Sequence, residues 1–451
     1  EDICRPLGID FQIGTPESEH ARASEMKKPT RGGEFGEITP PRKAAFFTKW
    51  MTDVCDSQDA DGVFPDVAPR ISEGANFVGL DGLAGAAGWA DAGGIVPWTL
   101  WRVYDDLRLA ERHWKAMVAW IEWLECTNPD GIRSRRLGNN YGDWLCIPSD
   151  TTFRTHSPMK TLLATAYWAD DAAKLAQLAR ALDKPAEADR FDAMFRRVRD
   201  AFRREWLGDD GRLTVDTQTA YLLALEFDLL PEQVRPRAVE HLVENIAQLD
   251  WRLSTGFIGV GRLNPRLTLA GRADVAYRLL LSREYPSWLY PVLHGATTIW
   301  ERWNGWTAED GFFNPQMNSF NHYSLGSVGE WLYRHVAGIE LAPTVNAFKD
   351  FVIRPYLGAG LAHAAARYDG PHGEIAVRWE RTDSGELLLE AVVPANTTAT
   401  ISVPASRAAT IFEGDLPAAA SPGLVEAERE DDFANFRATA GRYRFRVVGC
   451  A

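Results

Sequence analysis

The chain is poor in cysteine, in basic charge and in long apolar runs. Its 451 residues hold five cysteines (Cys4, Cys55, Cys126, Cys146, Cys450), odd in number and scattered. They make no CxxC pair and no metal-ligand spacing, so a disulfide framework is not expected in a chain this long. The formal charge is −13, which argues against nucleic acid and anionic membranes as partners, since both require a basic surface. No apolar run approaches a membrane span, and Glu1-Asp2-Ile3-Cys4-Arg5 does not read as a signal peptide, which favours the cytoplasm. HExxH, a P-loop and a GxSxG elbow are all missing. Gly259-Val-Gly261 is too short for a dinucleotide fingerprint, and the nine histidines do not cluster, so neither a cofactor nor a metal is expected.

Tryptophan, in contrast, is abundant. Of seventeen, sixteen precede residue 340, and Trp379 alone follows it. That asymmetry suggests two domains with different tasks. Apolar residues recur at helical spacing from Ala44 to Gln58, through Phe47, Trp50, Met51 and Val54. Further helices are predicted at about 94–106, 110–126, 159–183, 185–207, 217–229, 232–248, 267–281, 294–304 and 320–337. Several are paired across short breaks such as Asp183-Lys184-Pro185 and Leu230-Pro231. The long loops 61–89, 127–158 and 251–267 are rich in Trp, Gly and Asp. Paired helices joined by long functional loops fit an α/α toroid whose loops line a pocket. After about Pro343 the period becomes two, in Glu374-Ile-Ala-Val-Arg-Trp379, Ala399-Thr-Ile-Ser-Val403 and Arg442-Tyr-Arg-Phe-Arg-Val447. This predicts an antiparallel β-sandwich. The expected organisation is an atypical, poorly structured segment at 1–43, an (α/α)6 barrel at 44–342 and a sandwich at 343–451.

The densest aromatic stretch is Tyr285-Pro-Ser-Trp-Leu-Tyr-Pro-Val-Leu-His-Gly-Ala-Thr-Thr-Ile-Trp-Glu-Arg-Trp303. It sets Glu301 between Trp300 and Trp303 and beside Arg302. An ordinary helix glutamate is most often a solvated ion-pair partner, but this crowd of rings is too dense for a helix surface. Aromatic faces stack on sugar rings, while a few carboxylates and amides fix the hydroxyls, so the composition points to carbohydrate chemistry. Glu301 is the candidate general base, kept ionised by a nearby arginine. His322 lies where a helix should begin, with Ser319 or Asn321 as its cap, and is equally readable as structural or as a hydroxyl-binding group. Gly88-Trp-Ala-Asp-Ala92 and Asn139-Asn-Tyr-Gly-Asp-Trp-Leu145 repeat one theme, an Asp beside a Trp in a Gly-containing turn. Helix capping alone would account for either. Their repetition favours one pocket lined by Trp89, Asp91, Asp143, Trp144, Trp303 and His322 together with Glu301, and Asp66 is a further residue that could face it. Asp105-Asp106 lacks the third acid of a terpene-cyclase motif.

Taken in order, these segments resemble the bacterial α-L-rhamnosidases of glycoside hydrolase family 78. The residues that carry the resemblance are Asp61-Gly-Val-Phe-Pro-Asp-Val-Ala-Pro69, Gly88-Trp-Ala-Asp91 with Val96-Pro-Trp98, Tyr141-Gly-Asp-Trp144, Ser254-Thr-Gly-Phe257, Tyr285-Pro-Ser-Trp-Leu-Tyr290, Gly295-Ala-Thr-Thr-Ile-Trp-Glu-Arg-Trp303, Ser319-Phe-Asn-His-Tyr323, Ile353-Arg-Pro355 and Val393-Pro-Ala-Asn-Thr-Thr398. The resemblance implies an (α/α)6 barrel followed by a β-sandwich, and inverting hydrolysis of terminal α-L-rhamnosyl groups from a rhamnose-containing glycoside or oligosaccharide. It implies Glu301 as general base, with Trp89, Asp91, Trp144 and His322 as pocket residues. The family's acid-bearing segment, which should lie ahead of Ala44, has no counterpart in residues 1–43. Asp2, Glu19, Glu25, Glu34 and Glu37 stand in other contexts. The expectation is therefore a barrel whose front is lost or replaced and whose turnover is impaired. The alternatives are a non-catalytic rhamnoside-binding remnant or another (α/α)6 glycosidase of the glucoamylase kind.

Overall fold

The computed structural model describes residues 11–14, 40–70, 83–139, 141–148 and 157–449, with backbone alone at 11–14 and 40–43. Two compact units divide the chain, Ala44–Ala270 and Gly271 onward together with the N-terminal strand.

The first unit is built from helices α1 (Pro40–Asp56), α2 (Ala92–Tyr104), α3 (Arg108–Thr127), α4 (Pro158–Ala181), α5 (Pro185–Trp206), α6 (Gln218–Glu226), α7 (Arg235–Gln248) and α8 (Val260–Leu269). Alternate helices differ in kind. α4 is apolar nearly all round, with Leu162, Leu163, Ala166, Trp168, Ala172, Leu175 and Leu178 wholly buried. α5 is amphipathic, burying Phe191, Met194, Val198 and Phe202 along one stripe and exposing Arg190, Arg196 and Arg204. An all-round apolar helix must be enclosed, whereas a striped one covers it. Accordingly α2 packs on α4, α4 on α6 and α6 on α8, while α3, α5 and α7 pack outside them. Ser157 caps α4 by accepting from the Lys160 N–H, and Thr217 caps α6 through the Ala220 N–H. Asp183, in the left-handed region at φ 56°, turns the chain from α4 into α5 ahead of Pro185.

The second unit begins with α9 (Ala273–Leu280) and α10 (Leu289–Leu293), then α11 (Val328–Trp331), which runs into a π-turn over Leu332–Val336. Three expected helices differ. The single helix at 267–281 is two, broken at Gly271, whose φ of 78° suits glycine. Residues 294–304 are not helical. The β-branched run Thr297-Thr298-Ile299 disfavours a helix, and the chain bonds sideways to residues 319–322 instead. The helix expected from 320 starts as a 3-10 turn at Ser324–Ser327, and Tyr323, not Ser319 or Asn321, stands at its N-cap without a side-chain bond.

Two sheets follow. One has the order β1 (Phe11–Gly14), β6 (His363–Gly370), β7 (Gly373–Arg381), β8 (Leu387–Val393), β14 (Gly441–Val448), β10 (Thr410–Glu413), β11 (Leu416–Pro417). The other runs β12 (Leu424–Arg429), β13 (Phe433–Ala438), β9 (Thr398–Pro404), β5 (Asp350–Ile353), β4 (Ile339–Leu341). Alternation along β7 buries Ile375, Val377 and Trp379 and turns Ala376 and Arg378 outward. Phe436 of one sheet meets Phe445 of the other at 5.6 Å, so the inner faces form a sandwich core. The pairing is antiparallel except β5 with β9, which is parallel. Of the segment 1–43, expected to lack regular structure, Phe11–Gly14 pairs antiparallel with β6 and Pro40 opens α1. The rest of that segment, with the expectation that it supplies no acid, lies outside the described residues. Among the described residues no helix is long and apolar enough to cross a membrane.

Candidate active site

The predicted residues fall in both units. In Ala44–Ala270 the loops ahead of α2 and α4 bring three rings together. Trp89 lies 4.5 Å from Tyr141, and Tyr141 lies 5.8 Å from Trp144, edge to face. All three are half-buried, so this row keeps open aromatic surface. Tyr141 was not singled out by the sequence. It belongs to the same Tyr-Gly-Asp-Trp motif and is fixed by two bonds, from Asn139 Nδ2 at 3.2 Å and to Asp66 Oδ2 at 3.1 Å.

Beneath the row lie the acids. Asp91 occupies the N-cap position of α2, yet its side chain does not cap that helix. Oδ2 instead accepts from the Gly88 N–H at 2.6 Å, tightening the turn that presents Trp89. Asp91 and its partner Arg133 are both inaccessible and lie 3.5 Å apart, and Arg133 also donates to the Gly85 carbonyl at 2.6 Å and sits over the Trp120 ring. Asp171 of α4 accepts from Trp120 Nε1 at 2.8 Å. Burial, then the neighbouring Asp91 charge, push the Asp171 carboxyl well above the usual range. Asp91 Oδ1 and Asp171 Oδ1 otherwise lack donors. Asp66 accepts from the Ala86 N–H at 2.8 Å, and burial pushes its pKa up to about 6.

Asp143 does not cap a neighbouring helix either. Its carboxylate accepts from the Thr219 hydroxyl, from the Gly256 N–H at 2.8 Å, from the Ile258 N–H at 2.9 Å and from the Gly259 N–H at 3.1 Å. The last two amides stand at the N-terminus of α8, where the helix dipole favours an anion. Gly256 is required here, since a Cβ would come within 2.2 Å of the Trp144 carbonyl oxygen. Burial raises the Asp143 pKa against the downward pull of these four donors. Its oxygens are thus occupied within the protein, and they hold the Trp144 loop against the start of α8.

In the other unit, residues 298–301 and 319–322 lie side by side. The Glu301 N–H donates to Ser319 O at 2.8 Å and the His322 N–H to Ile299 O at 2.8 Å. The Glu301 carboxylate accepts from the Ser319 N–H through Oε2 at 2.9 Å. That carboxylate is half-buried, and Oε1 has no hydrogen-bond partner among the described residues. On either side Trp300 (8% exposed) and Trp303 (3%) are buried. Trp303 meets Trp288 edge-on at 5.6 Å, and both line an apolar cavity of about 30 Å³ with Leu325 and Val328. Arg302, beside Glu301 in the chain, directs its hydrogen bonds elsewhere. It donates to Asn304 Oδ1 at 2.9 Å and to Met317 O at 3.2 Å, with its guanidinium 3.5 Å above Phe313. It thereby ties the Glu301 segment to the β2 (Trp306–Thr307) and β3 (Gly311–Phe312) hairpin that follows. His322 is half-buried and stacks on the exposed Tyr323 at 5.6 Å, and its Nδ1 accepts from the Ser324 N–H at 3.3 Å.

The chain is similar to known proteins over most of its length. The model of the bacterial alpha-L-rhamnosidase 6 hairpin glycosidase domain matches residues 41–336, and that of the bacterial alpha-L-rhamnosidase C-terminal domain matches residues 338–415. An alpha-L-rhamnosidase of Streptomyces avermitilis is 41% identical over 404 residues, 90% of this chain and 36% of that protein. One from Formosa agariphila is 36% identical over 361 residues, 80% of this chain and 37% of that protein. The crystal structure of the Streptomyces avermitilis enzyme complexed with L-rhamnose superposes with a TM-score of 0.80 at 39% identity, over 90% of this chain and 36% of that one. The alpha-L-rhamnosidase of Dictyoglumus thermophilum gives 0.78 at 27% identity, over 90% of this chain and 43% of that one. The chain thus spans little more than a third of the length of the curated relatives it matches.

Proposed function

The chain belongs to the bacterial α-L-rhamnosidases, with their six-hairpin helical domain and C-terminal β-domain, and from that premise we propose that it carries the base-bearing core of an inverting glycoside hydrolase for terminal α-L-rhamnosyl groups. The observation that carries this reading is the state of Glu301. One carboxylate oxygen is held by the Ser319 N–H, and the other is open, in a frame of buried tryptophans. A general base needs that arrangement, with one oxygen fixing the group and one free to take a proton from water.

In the proposed reaction Glu301 removes a proton from a water molecule as its oxygen bonds to the anomeric carbon. The bond from that carbon to the aglycone oxygen breaks, and a second carboxylic acid protonates the departing oxygen. Inversion places the two carboxyl groups about 6.5–9.5 Å apart, with the water between base and sugar. His322, on the segment hydrogen-bonded alongside Glu301, would bind a sugar hydroxyl. Within the other unit, Trp89, Tyr141 and Trp144 present half-buried ring surface of the kind on which an apolar sugar face stacks. Asp91, Asp143 and Trp303 are buried, and in this reading they set the positions of Trp89, Trp144 and Glu301 without touching the sugar.

The test is hydrolysis of an aryl α-L-rhamnoside followed by proton NMR. β-L-Rhamnose should form first, and Glu301→Gln should lower turnover by about 10²-fold or more while rhamnose binding stays within a few-fold. Near-normal turnover in Glu301→Gln would refute the base assignment, and rhamnose binding without turnover in the parent would leave a binding protein.

A further inference from the structure

The outer face of the seven-stranded sheet carries a feature that the hydrolytic reading does not use. Register across β6, β7, β8 and β14 aligns Arg367 with Ala376, Ala376 with Val392 and Val392 with Arg442. These four side chains alternate with buried neighbours, so all of them face outward. The row therefore has an arginine at each end and small residues between them. Its ends are three interstrand steps, about 14 Å, apart. The next row, Ala365, Arg378, Glu390 and Arg444, sets Arg378 and Arg444 on either side of a carboxylate. The two rows, Arg444 apart, line a polar trough of about 470 Å³ together with Glu374. That volume lies within the range of sites for small ligands.

The charges in the trough are unequally satisfied. Arg378 pairs with Glu380 at 2.8 Å, and Arg444 with Glu390 at 3.5 Å. Arg367 reaches Glu374 only at 3.9 Å. Arg442 is exposed and has no ion pair among the described residues. In a chain of net charge −13, two under-used guanidinium groups thus flank a floor too small to fill the space between them. The fork of a guanidinium matches a carboxylate bidentately. Glu374 and Glu390 would repel a simple anion, but they can accept from hydroxyl groups.

We propose that this trough binds an oligosaccharide bearing hexuronate carboxylates, with Arg442 and Arg367 taking the carboxylates and Glu390 and Glu374 taking ring hydroxyls. The small side chains Ala376 and Val392 form the floor on which the sugar rings lie. The absence of an aromatic platform from the lining makes the carboxylate the main determinant, so affinity falls with salt.

Calorimetric titration of the full 451-residue chain with trigalacturonate, and with its carboxyl-reduced neutral trimer, tests the proposal. Binding is expected for the charged trimer, weaker by about tenfold or more for the neutral one and in both Arg442→Ala and Arg367→Ala. Arg407→Ala, an exposed arginine on another loop, should bind like the parent, and thermal melts of all three variants should match because the side chains are exposed. The proposal is overturned if trigalacturonate gives no binding up to about 5 mM. It is equally overturned if the neutral trimer binds as well, or if loss of Arg442 leaves the affinity unchanged. None of these outcomes depends on rhamnoside hydrolysis, so this proposal and the assignment of Glu301 can fail separately.

Discussion

Replacing Asp143 by asparagine decides whether this carboxylate builds the protein or touches the sugar. Four donors converge on it, two per oxygen: the Thr219 hydroxyl and Gly256 N–H on Oδ2, the Ile258 and Gly259 N–H groups on Oδ1. An asparagine keeps the shape but replaces one oxygen by NH2. If the NH2 faced Ile258 and Gly259, two buried amides would lose their acceptor. Facing Thr219 and Gly256 is better, because the Thr219 hydroxyl can turn to accept, and only the Gly256 N–H is then orphaned. One buried unsatisfied N–H costs about 1–3 kcal/mol, and the remaining bonds lose their charge assistance. Relief of the buried charge offsets part of this, giving a net loss of about 2–3 kcal/mol. The unit Ala44–Ala270 has 227 residues, a size for which each kcal/mol lowers Tm by about 2–4 °C. Asp143→Asn should therefore melt roughly 4–12 °C below the parent. Thr219→Val, made in both backgrounds, should show a coupling of about 0.5 kcal/mol or more, because the asparagine NH2 depends on that hydroxyl. Urea denaturation and calorimetry supply the stabilities, and aryl rhamnoside kinetics supply KM. An unchanged melt with KM raised about tenfold would refute the clamp and make Asp143 a substrate ligand.

Asp66→Asn tests the buried acid under Tyr141. The folded pKa of about 6 lies above the ordinary 3.8, so stability from this group is present below about pH 4 and lost as pH rises through 6, a penalty of about 2–4 kcal/mol. The variant should gain that much on the parent between pH 4 and pH 8 in denaturant titrations, and a gap independent of pH would refute the shift. Trp379→Phe removes the bond from Nε1 to Val336 O at 2.7 Å from a fully buried site. It should cost about 2–4 kcal/mol, and a loss below about 0.5 kcal/mol would show that the bond carries no net stability. Trp144→Ala should raise KM for an aryl rhamnoside about tenfold with the melt little changed. An unaltered KM would remove the aromatic row from the proposed site.

The sequence by itself determined what depends on local period and composition. The helical spacing at about 159–183 and 185–207 made two paired helices legible, and the break at Asp183-Lys184-Pro185 marked the turn between them. Period-two alternation in 374–379 placed Trp379 on a buried face. The aromatic crowd around Glu301 was visible as composition, since burial of that many rings leaves few local alternatives. Only the tertiary structure decided what the polar groups do. Asp143 reads as a cap in its own turn, yet its donors come from 76 to 116 residues away. Arg302 reads as the partner of Glu301 because it is adjacent, but its stacking on Phe313 and its bond to Met317 carry it elsewhere. Glu301 reads as helical, but lateral bonding to 319–322 overrides that local preference. In each case a long-range hydrogen bond won, because a buried polar group must find a partner wherever the fold offers one. That choice leaves no period in the chain to read.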